Sequence, residues 1–231
     1  MVDSEGQDAF LAGMKRLGVD VSRETAAQLE ALAATLRRWQ KAINLVGRGS
    51  VGGVWVRHVL DSAQLQPLIP PATRRLTDLG SGAGFPGLVL AALRPDLDVT
   101  LIEADARKAA FLSEAARQMA LPKAPTVLIG RIETVPTAPA DILTARALAP
   151  LGQLLDWADR HRTDTAICLF HKGKGWQGEL TEAMKDWEIP YESFTSITDR
   201  DAVILRLGPY QSAGLRHRQP EGRHGQDDHG D

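Results

Sequence analysis

The chain has 231 residues, of which 43% are hydrophobic and 24% charged, and its 27 basic and 29 acidic side chains leave a formal net charge of -2. That balance describes a globular protein with enough apolar mass for a real core; it excludes wholesale disorder and a polycation that coats nucleic acid indiscriminately. The longest aliphatic run, Leu88 to Leu93, is far below the roughly 18 to 20 residues of a membrane span, Asp3, Glu5 and Asp8 stand where a secretory signal would be basic and then apolar, and the single Cys168 excludes an internal disulfide or cysteine-held metal, so a cytoplasmic protein is expected.

The first elements read as helices. Ala9, Phe10, Ala12, Gly13 and Met14 suggest a short one closed by Gly18. From Ser22, a plausible N-cap, to Val46, the residues Leu29, Leu32, Leu36, Trp39, Ile43 and Val46 recur every three or four positions, the period of an amphipathic helix ended by the glycines at 47, 49, 52 and 53. Trp39 falls on that apolar stripe and reads as core, although it and Trp55 could also stack on bases. Val54 to Leu65 suggests a further helix, stopped by Pro67, Pro70 and Pro71. On it His58 and Asp61, three residues apart, can share a face, and Arg57 can reach Asp61; this is either the rim of an active site or a local ion pair.

Charge is concentrated here. Between Arg37 and Arg75 lie seven basic residues (Arg37, Arg38, Lys41, Arg48, Arg57, Arg74, Arg75) against one acid, Asp61, whereas residues 76 to 231 hold 17 basic and 22 acidic ones. A polyanion could dock on that stretch, with Arg37, Arg38, Lys41 and Arg48 supplying phosphate contacts, or the stretch is a solvated basic face.

After the prolines, strand-length aliphatic runs alternate with helix-length amphipathic segments, the pattern of βαβ units around a parallel sheet. Strands are expected near 76–80, 98–103, 125–130, 141–145 and 165–171, then 190–197 and 201–207, with helices between the first six. Thr198-Asp199-Arg200 is too short for a crossover, so the last two strands should form an antiparallel hairpin. From Pro209 onward the periodicity is lost and a disordered tail is expected; its His217, His224 and His229 show no fixed ligand spacing, and no metal site is expected. The division is a helical layer over 1–70, a doubly wound, Rossmann-like α/β domain over 71–208 and the tail over 209–231.

The sharpest local signal lies between the first strand and the next helix: Asp78-Leu79-Gly80-Ser81-Gly82-Ala83-Gly84-Phe85-Pro86-Gly87. Glycines there allow positive φ and bare-backbone contact with a ligand, and the following helix points its amides at it. Gly82-x-Gly84-x-x-Gly87 matches the dinucleotide fingerprint literally, but the turn starts earlier, at Gly80, and an acid precedes it. Glu103 then closes the second strand, where a carboxylate can accept hydrogen bonds from both ribose hydroxyls.

An acid before a G-x-G-x-G turn and a second acid closing the next strand resemble the cofactor site of class I methyltransferases that use S-adenosyl-L-methionine. Asn44-Leu45, Arg57-His58-x-x-Asp61-Ser62, the glycine turn with its Phe85-Pro86, Gly130-Arg131-x-Glu133, Ala145-Arg146-Ala147 and Lys172-Gly173 follow in that order, which is similar to the bacterial 16S ribosomal RNA guanine-N7 methyltransferases, also called glucose-inhibited division protein B, from about Leu29 to Leu207. The resemblance implies that Gly80 and Phe85 line the methionine and ribose part of the site within the Gly80, Gly82 and Gly84 turn. It implies Glu103 at the ribose, Ile132 and Glu133 at the adenine, and Arg146 at the mouth. Ala145 departs from the serine that often precedes that arginine and removes one hydroxyl. The implied partner is 16S ribosomal RNA or the small ribosomal subunit, with no membrane and no obligate protein partner.

The residues agree with a ring nitrogen as acceptor. Pyrimidine C5 methylation needs a cysteine nucleophile, and Cys168 sits in an expected buried strand; the Asn/Asp-Pro-Pro-aromatic clamp of exocyclic amine methylation is replaced by Ala145-Arg146-Ala147-Leu148. Guanine N7 already carries a free lone pair, so no general base is required and no catalytic residue is assigned. Lys172, at the ligand end of the fifth strand, could hold an RNA phosphate or be a plain surface lysine, and Arg57 and His58 are expected at the RNA-facing rim. The rivals are an NAD-dependent oxidoreductase and a non-catalytic RNA-binding assembly or regulatory protein.

Overall fold

A computed structural model describes residues 3–213, the side chains of Arg48 and Val51 excepted. Helix α1 (Ser4–Arg16) is capped by Asp3, whose carboxylate accepts from the Gly6 amide, and α2 (Arg23–Trp39) by Ser22, whose hydroxyl accepts from the Thr25 amide. The apolar stripe of α2 is buried at Leu29, Leu32 and Leu36. Trp39, half-buried against the core, meets the Phe111 ring edge-on at 5.9 Å, and Trp55 is buried in the core 5.4 Å from Phe10, so neither is a free stacking platform.

Helix α2 stops seven residues short of Val46. The Gln40 side chain accepts from the Leu45 and Val46 amides at 2.9 and 3.0 Å and donates to the Val46 carbonyl at 2.8 Å, folding the chain back while Ile43 and Val46 still reach the core. The expected helix over 54–65 is also broken. A 3-10 turn (Arg48–Gly53) leads into a π-helical turn (Trp55–Leu60), the short α3 (Asp61–Ala63) and a second 3-10 turn (Gln66–Leu68). The wider π turn takes Arg57 out of register with Asp61, and no ion pair forms between them.

The sheet follows: β1 (Arg75–Leu79), α4 (Gly87–Leu93), β2 (Asp98–Glu103), α5 (Ala106–Met119), β3 (Thr126–Ile129), β4 (Ala140–Arg146), α6 (Leu151–Asp159), β5 (Arg162–Lys172), α7 (Trp176–Ala183), β6 (Trp187–Glu188), β7 (Tyr191–Thr195), β8 (Val203–Leu207) and β9 (Gln211–Ser212). Seven strands pair in the order β3-β2-β1-β4-β5-β8-β7, parallel except where β8 meets β5 and β7, so the expected C-terminal hairpin is present as an antiparallel edge. The expected helix between β3 and β4 is absent. Residues 130–139 form a loop carrying Pro136 and Pro139, which break a helical run. The order also departs from a tail beginning at 209: Tyr210 is buried against Trp187, and Gln211 and Ser212 pair with Glu188 and Trp187. Residues 214–231, with the three tail histidines, lie outside the described part.

One core cluster joins α1, α2 and the Trp55 turn to α4, α5 and one sheet face, through Phe10, Leu32, Leu36, Leu88 and Phe111; the other holds α6 and α7 against the opposite face, through Leu143, Leu154, Phe170 and Leu205. The N-terminal helices therefore form an outer layer of the same body. Strand order reverses between β1 and β4, and open α/β sheets bind ligands beyond the carboxyl ends of the strands at such a point.

Candidate functional site

Beyond β1 the chain turns on glycines with positive φ, Gly80 at 62° and Gly82 at 54° among them. A Cβ on Gly80 would stand 2.5 Å from Leu148 Cδ1 on a backbone held at positive φ, so a side chain there is strained and must displace Leu148. Asp78 lies beneath it, fully buried. Its Oδ2 accepts from the Gly87 amide at 3.2 Å and its Oδ1 from Thr144 Oγ1 at 2.6 Å, bracing β1 to the start of α4 and to β4. Burial pushes this carboxyl up to about 6 despite those hydrogen bonds.

At the end of β2, Glu103 turns both oxygens toward backbone: Oε2 accepts from Gly82 N and Oε1 from Asp105 N, each at 2.8 Å. It is buried and makes no ion pair among the described residues. A carboxylate oxygen has two lone pairs, so each keeps acceptor capacity toward the cleft beside it.

That cleft has a volume of about 590 Å³. Of the residues expected at a cofactor, Gly80, Gly82, Phe85, Glu103, Ile132, Glu133 and Arg146 line it, whereas Gly84 is turned away against Leu88. The lining also includes Leu45 and Gly47 from the fold-back after α2, Lys108 of α5 and Trp157 of α6. Asn44-Leu45 in the motif series pointed to Leu45; nothing in the sequence pointed to Gly47 or Trp157 as lining residues.

A second cleft of about 690 Å³ adjoins the first and is lined by Ser50, Arg57, Asp61, His171, Lys172 and Arg200 among others; His58, Arg146 and Ala147 line both and form the wall between them. Arg146 donates from Nη2 to the Arg57 carbonyl at 2.7 Å and to His58 Nδ1 at 3.0 Å, while its Nε lies 3.0 Å from Asp61 Oδ2. A guanidinium only donates, so His58 Nδ1 is the acceptor and its proton sits on Nε2, 3.0 Å from Ser50 Oγ. The imidazole stacks on Phe85, with centroids 5.1 Å apart and planes 20° from parallel. Burial and the Arg146 charge hold His58 down at about 4, so the ring is neutral at physiological pH. Asp61 Oδ1 accepts from Gln64 Nε2, Ser196 Oγ and Thr198 Oγ1, fastening the turn between β7 and β8 to the helical layer.

Lys172 does not face a ligand freely. It is buried, its Nζ 2.5 Å from Glu179 Oε2 and 2.9 Å from the Ala149 carbonyl, and is spent on joining β5 to α7. The basic stretch is not one surface either. Arg37 pairs with Asp3 and Glu30, Arg38 with Glu114, and Arg74 and Arg75, with Asp96 and Asp141, lie at the far end of β1 from the glycine turn. Lys41 and Arg57 are exposed without an ion pair among the described residues; Arg48 has its backbone in the 3-10 turn, and its side chain lies outside the described part.

Residues 25–203 match the family model GidB, rRNA small subunit methyltransferase G. Ribosomal RNA small subunit methyltransferase G of Paramagnetospirillum magneticum is 51% identical over 187 residues, covering 81% of this chain and 90% of that one. The protein of the same name from Rhodospirillum centenum is 50% identical over 196 residues, covering 85% and 89%. Among solved structures, the O-methyltransferase TomG from Streptomyces achromogenes, in complex with SAM, aligns with a TM-score of 0.54 at 15% identity over 90% of this chain and 99% of that one, a likeness of fold.

Proposed function

The chain belongs to the family of rRNA small subunit methyltransferase G, and we propose that it transfers the methyl group of S-adenosyl-L-methionine to N7 of a guanine in 16S ribosomal RNA of the small subunit. The observation that carries this reading is the pair of joined clefts, one closed by a buried carboxylate that makes no ion pair among the described residues, the other lined by Arg57 and Arg200, with His58 and Arg146 between them. Bound S-adenosylmethionine supplies a methyl group on a sulfonium centre. In this reading Glu103 accepts the ribose hydroxyls, Ile132 and Glu133 border the adenine, and Gly80, Gly82 and Phe85 line the rest of the cofactor, supported by the position of all six on the first cleft. The bare backbone at Gly80 and the open lone pairs of Glu103 suit such a ligand.

The wall residues orient; they do not take a proton. Both ring nitrogens of His58 are engaged, and guanine N7 has no proton to lose. A neutral imidazole, and an arginine whose charge is matched by Asp61, are compatible with a purine that gains positive charge as it is methylated.

For the RNA backbone the structure favours cations at the second cleft. Arg57 and Arg200 line it and Lys174 follows Gly173 at its edge, and all three are exposed without an ion pair among the described residues. Of the earlier candidates, Lys41 stays available to phosphate and Arg37 and Arg38 are already matched by acids. No helix among the described residues is long and apolar enough to cross a membrane.

The test incubates the protein with methyl-labelled S-adenosylmethionine and small subunits from cells lacking this methylation, then digests the RNA. Label in 7-methylguanosine supports the reading. Label in another nucleoside, or none despite cofactor binding, overturns the choice of acceptor.

A further inference from the structure

The loop 130–139 occupies a connection that would normally carry a helix, and its first half is the outer wall of the cofactor cleft, through Gly130, Arg131, Ile132 and Glu133. Its internal bonds are few: the Thr134 and Val135 amides and the Thr134 hydroxyl return to the Arg131 carbonyl, and at its start Gly130 N donates to the Glu103 carbonyl of β2. The other fixings come from outside. Arg160 Nη2 donates to the Val135 carbonyl at 2.9 Å, and Thr77 Oγ1 to the Ala138 carbonyl at 3.0 Å. His161, fully buried, spans the loop with both ring nitrogens, Nε2 lying 2.9 Å from the Ile132 carbonyl and Nδ1 accepting from the Ala138 amide at 3.1 Å. An amide N–H only donates and a carbonyl only accepts, so the tautomer is fixed with the proton on Nε2.

We propose that His161 and Arg160 are positioning residues for the cofactor, clamping the loop that borders the adenine so that the cleft is formed before the ligand arrives. This rests on the reading of the first cleft as the S-adenosylmethionine site. Neither residue lines that cleft; Trp157, one helical turn earlier in the chain, does, so the end of α6 both lines the cleft and leads into the clamp on its wall. Without the clamp the loop is ordered only when ligand binds, and that ordering is charged against affinity. Chemistry on the other side of the wall is left alone. The signature is therefore a change in cofactor KM with kcat preserved.

The experiment titrates S-adenosylmethionine calorimetrically into the full-length protein and its His161→Phe, His161→Gln and Arg160→Met variants, then measures kcat and cofactor KM on small subunits. Phenylalanine fills the space and makes neither bond. Glutamine places an amide nitrogen where Nε2 stood and can still donate to the Ile132 carbonyl. Losing two buried hydrogen bonds at the wall should raise Kd and KM about tenfold in His161→Phe, with kcat within about twofold of the parent. His161→Gln, which keeps one of the two bonds, should recover about half of that loss in free energy and show about a threefold rise, as should Arg160→Met, which loses one bond. A folded His161→Phe protein with unchanged Kd, or one whose kcat falls while KM stays, overturns the proposal. If His161→Phe does not fold, unchanged affinity in Arg160→Met overturns it instead. Failure of the unaltered protein to bind S-adenosylmethionine removes the cofactor reading itself, and the clamp with it.

Discussion

Arg146 Nε lies 3.0 Å from Asp61 Oδ2, so the last residue of β4 and the first of α3 meet in the wall between the two clefts. Both side chains are largely buried, and the carboxylate also holds Gln64, Ser196 and Thr198. One group thus ties the helical layer, the sheet and the turn between β7 and β8 together.

Asp61→Asn keeps the size and removes the charge. It leaves the Arg146 guanidinium without its counter-ion in a poorly solvated place, where breaking a buried pair costs about 3 to 5 kcal/mol. Urea denaturation should show that loss. Methyl transfer should fall much more than cofactor affinity, because Arg146 sits in the shared wall and Glu103 is untouched; equal losses in both would place Asp61 in the cofactor site instead.

Glu103→Gln should behave as a disruptive change, not a conservative one. Both carboxylate oxygens accept a backbone amide, from Gly82 and Asp105, and a glutamine offers one acceptor, so its NH2 must face one of those N–H groups. A stability loss of about 1 to 3 kcal/mol should accompany at least about a tenfold weakening of S-adenosylmethionine binding. Calorimetric affinity equal to the parent's would show that this carboxylate does not hold the ribose.

The parts legible in the sequence were those with a period or a spacing. Asp98–Glu103 stands where the aliphatic run put it, the short Thr198-Asp199-Arg200 link does join an antiparallel pair, and the glycine turn sits between strand and helix. What could not be read depends on single side chains meeting backbone or charge far along the chain. Gln40 ends α2 inside an unbroken apolar stripe, and Lys172 is matched by Glu179 of another element. Arg38 and Arg75 find Glu114 and Asp141, so a local count of charge overstated the free positive surface. His161, clamping the loop that replaced an expected helix, belongs to no motif.

Asp78 should give the protein an unusual acid-range stability profile. Its carboxyl titrates near 6 in the folded chain against 3.8 when exposed, so the folded state binds the proton more tightly and this group's contribution falls as pH rises from about 4 to about 6, by roughly 3 kcal/mol in all. Other acids such as Asp96 and Asp141, whose carboxyls lie low, contribute stability that is lost as pH falls, so the comparison needs Asp78→Asn. The stability of the asparagine variant relative to the parent should rise across that window and be flat above it. A constant difference from pH 4 to 7 would mean that Asp78 is ionised throughout.

The RNA surface is separable by salt. Each phosphate contact contributes about 0.7 to 0.9 to the slope of log affinity against log salt concentration. Arg57→Gln, Lys174→Gln and Arg200→Gln together remove three exposed cations at the second cleft that make no ion pair among the described residues, and should lower that slope by about 2. Arg74→Gln with Arg75→Gln removes two charges already matched by Asp96 and Asp141 at the opposite end of β1, and should leave the slope unchanged. Filter binding of small subunits across a salt series reads both variants, with S-adenosylmethionine affinity as the control for intact folding. A slope that moves with the second pair and not with the first three would place the RNA at the far end of the sheet, away from the clefts, and the joined-cleft reading of the acceptor would fall with it.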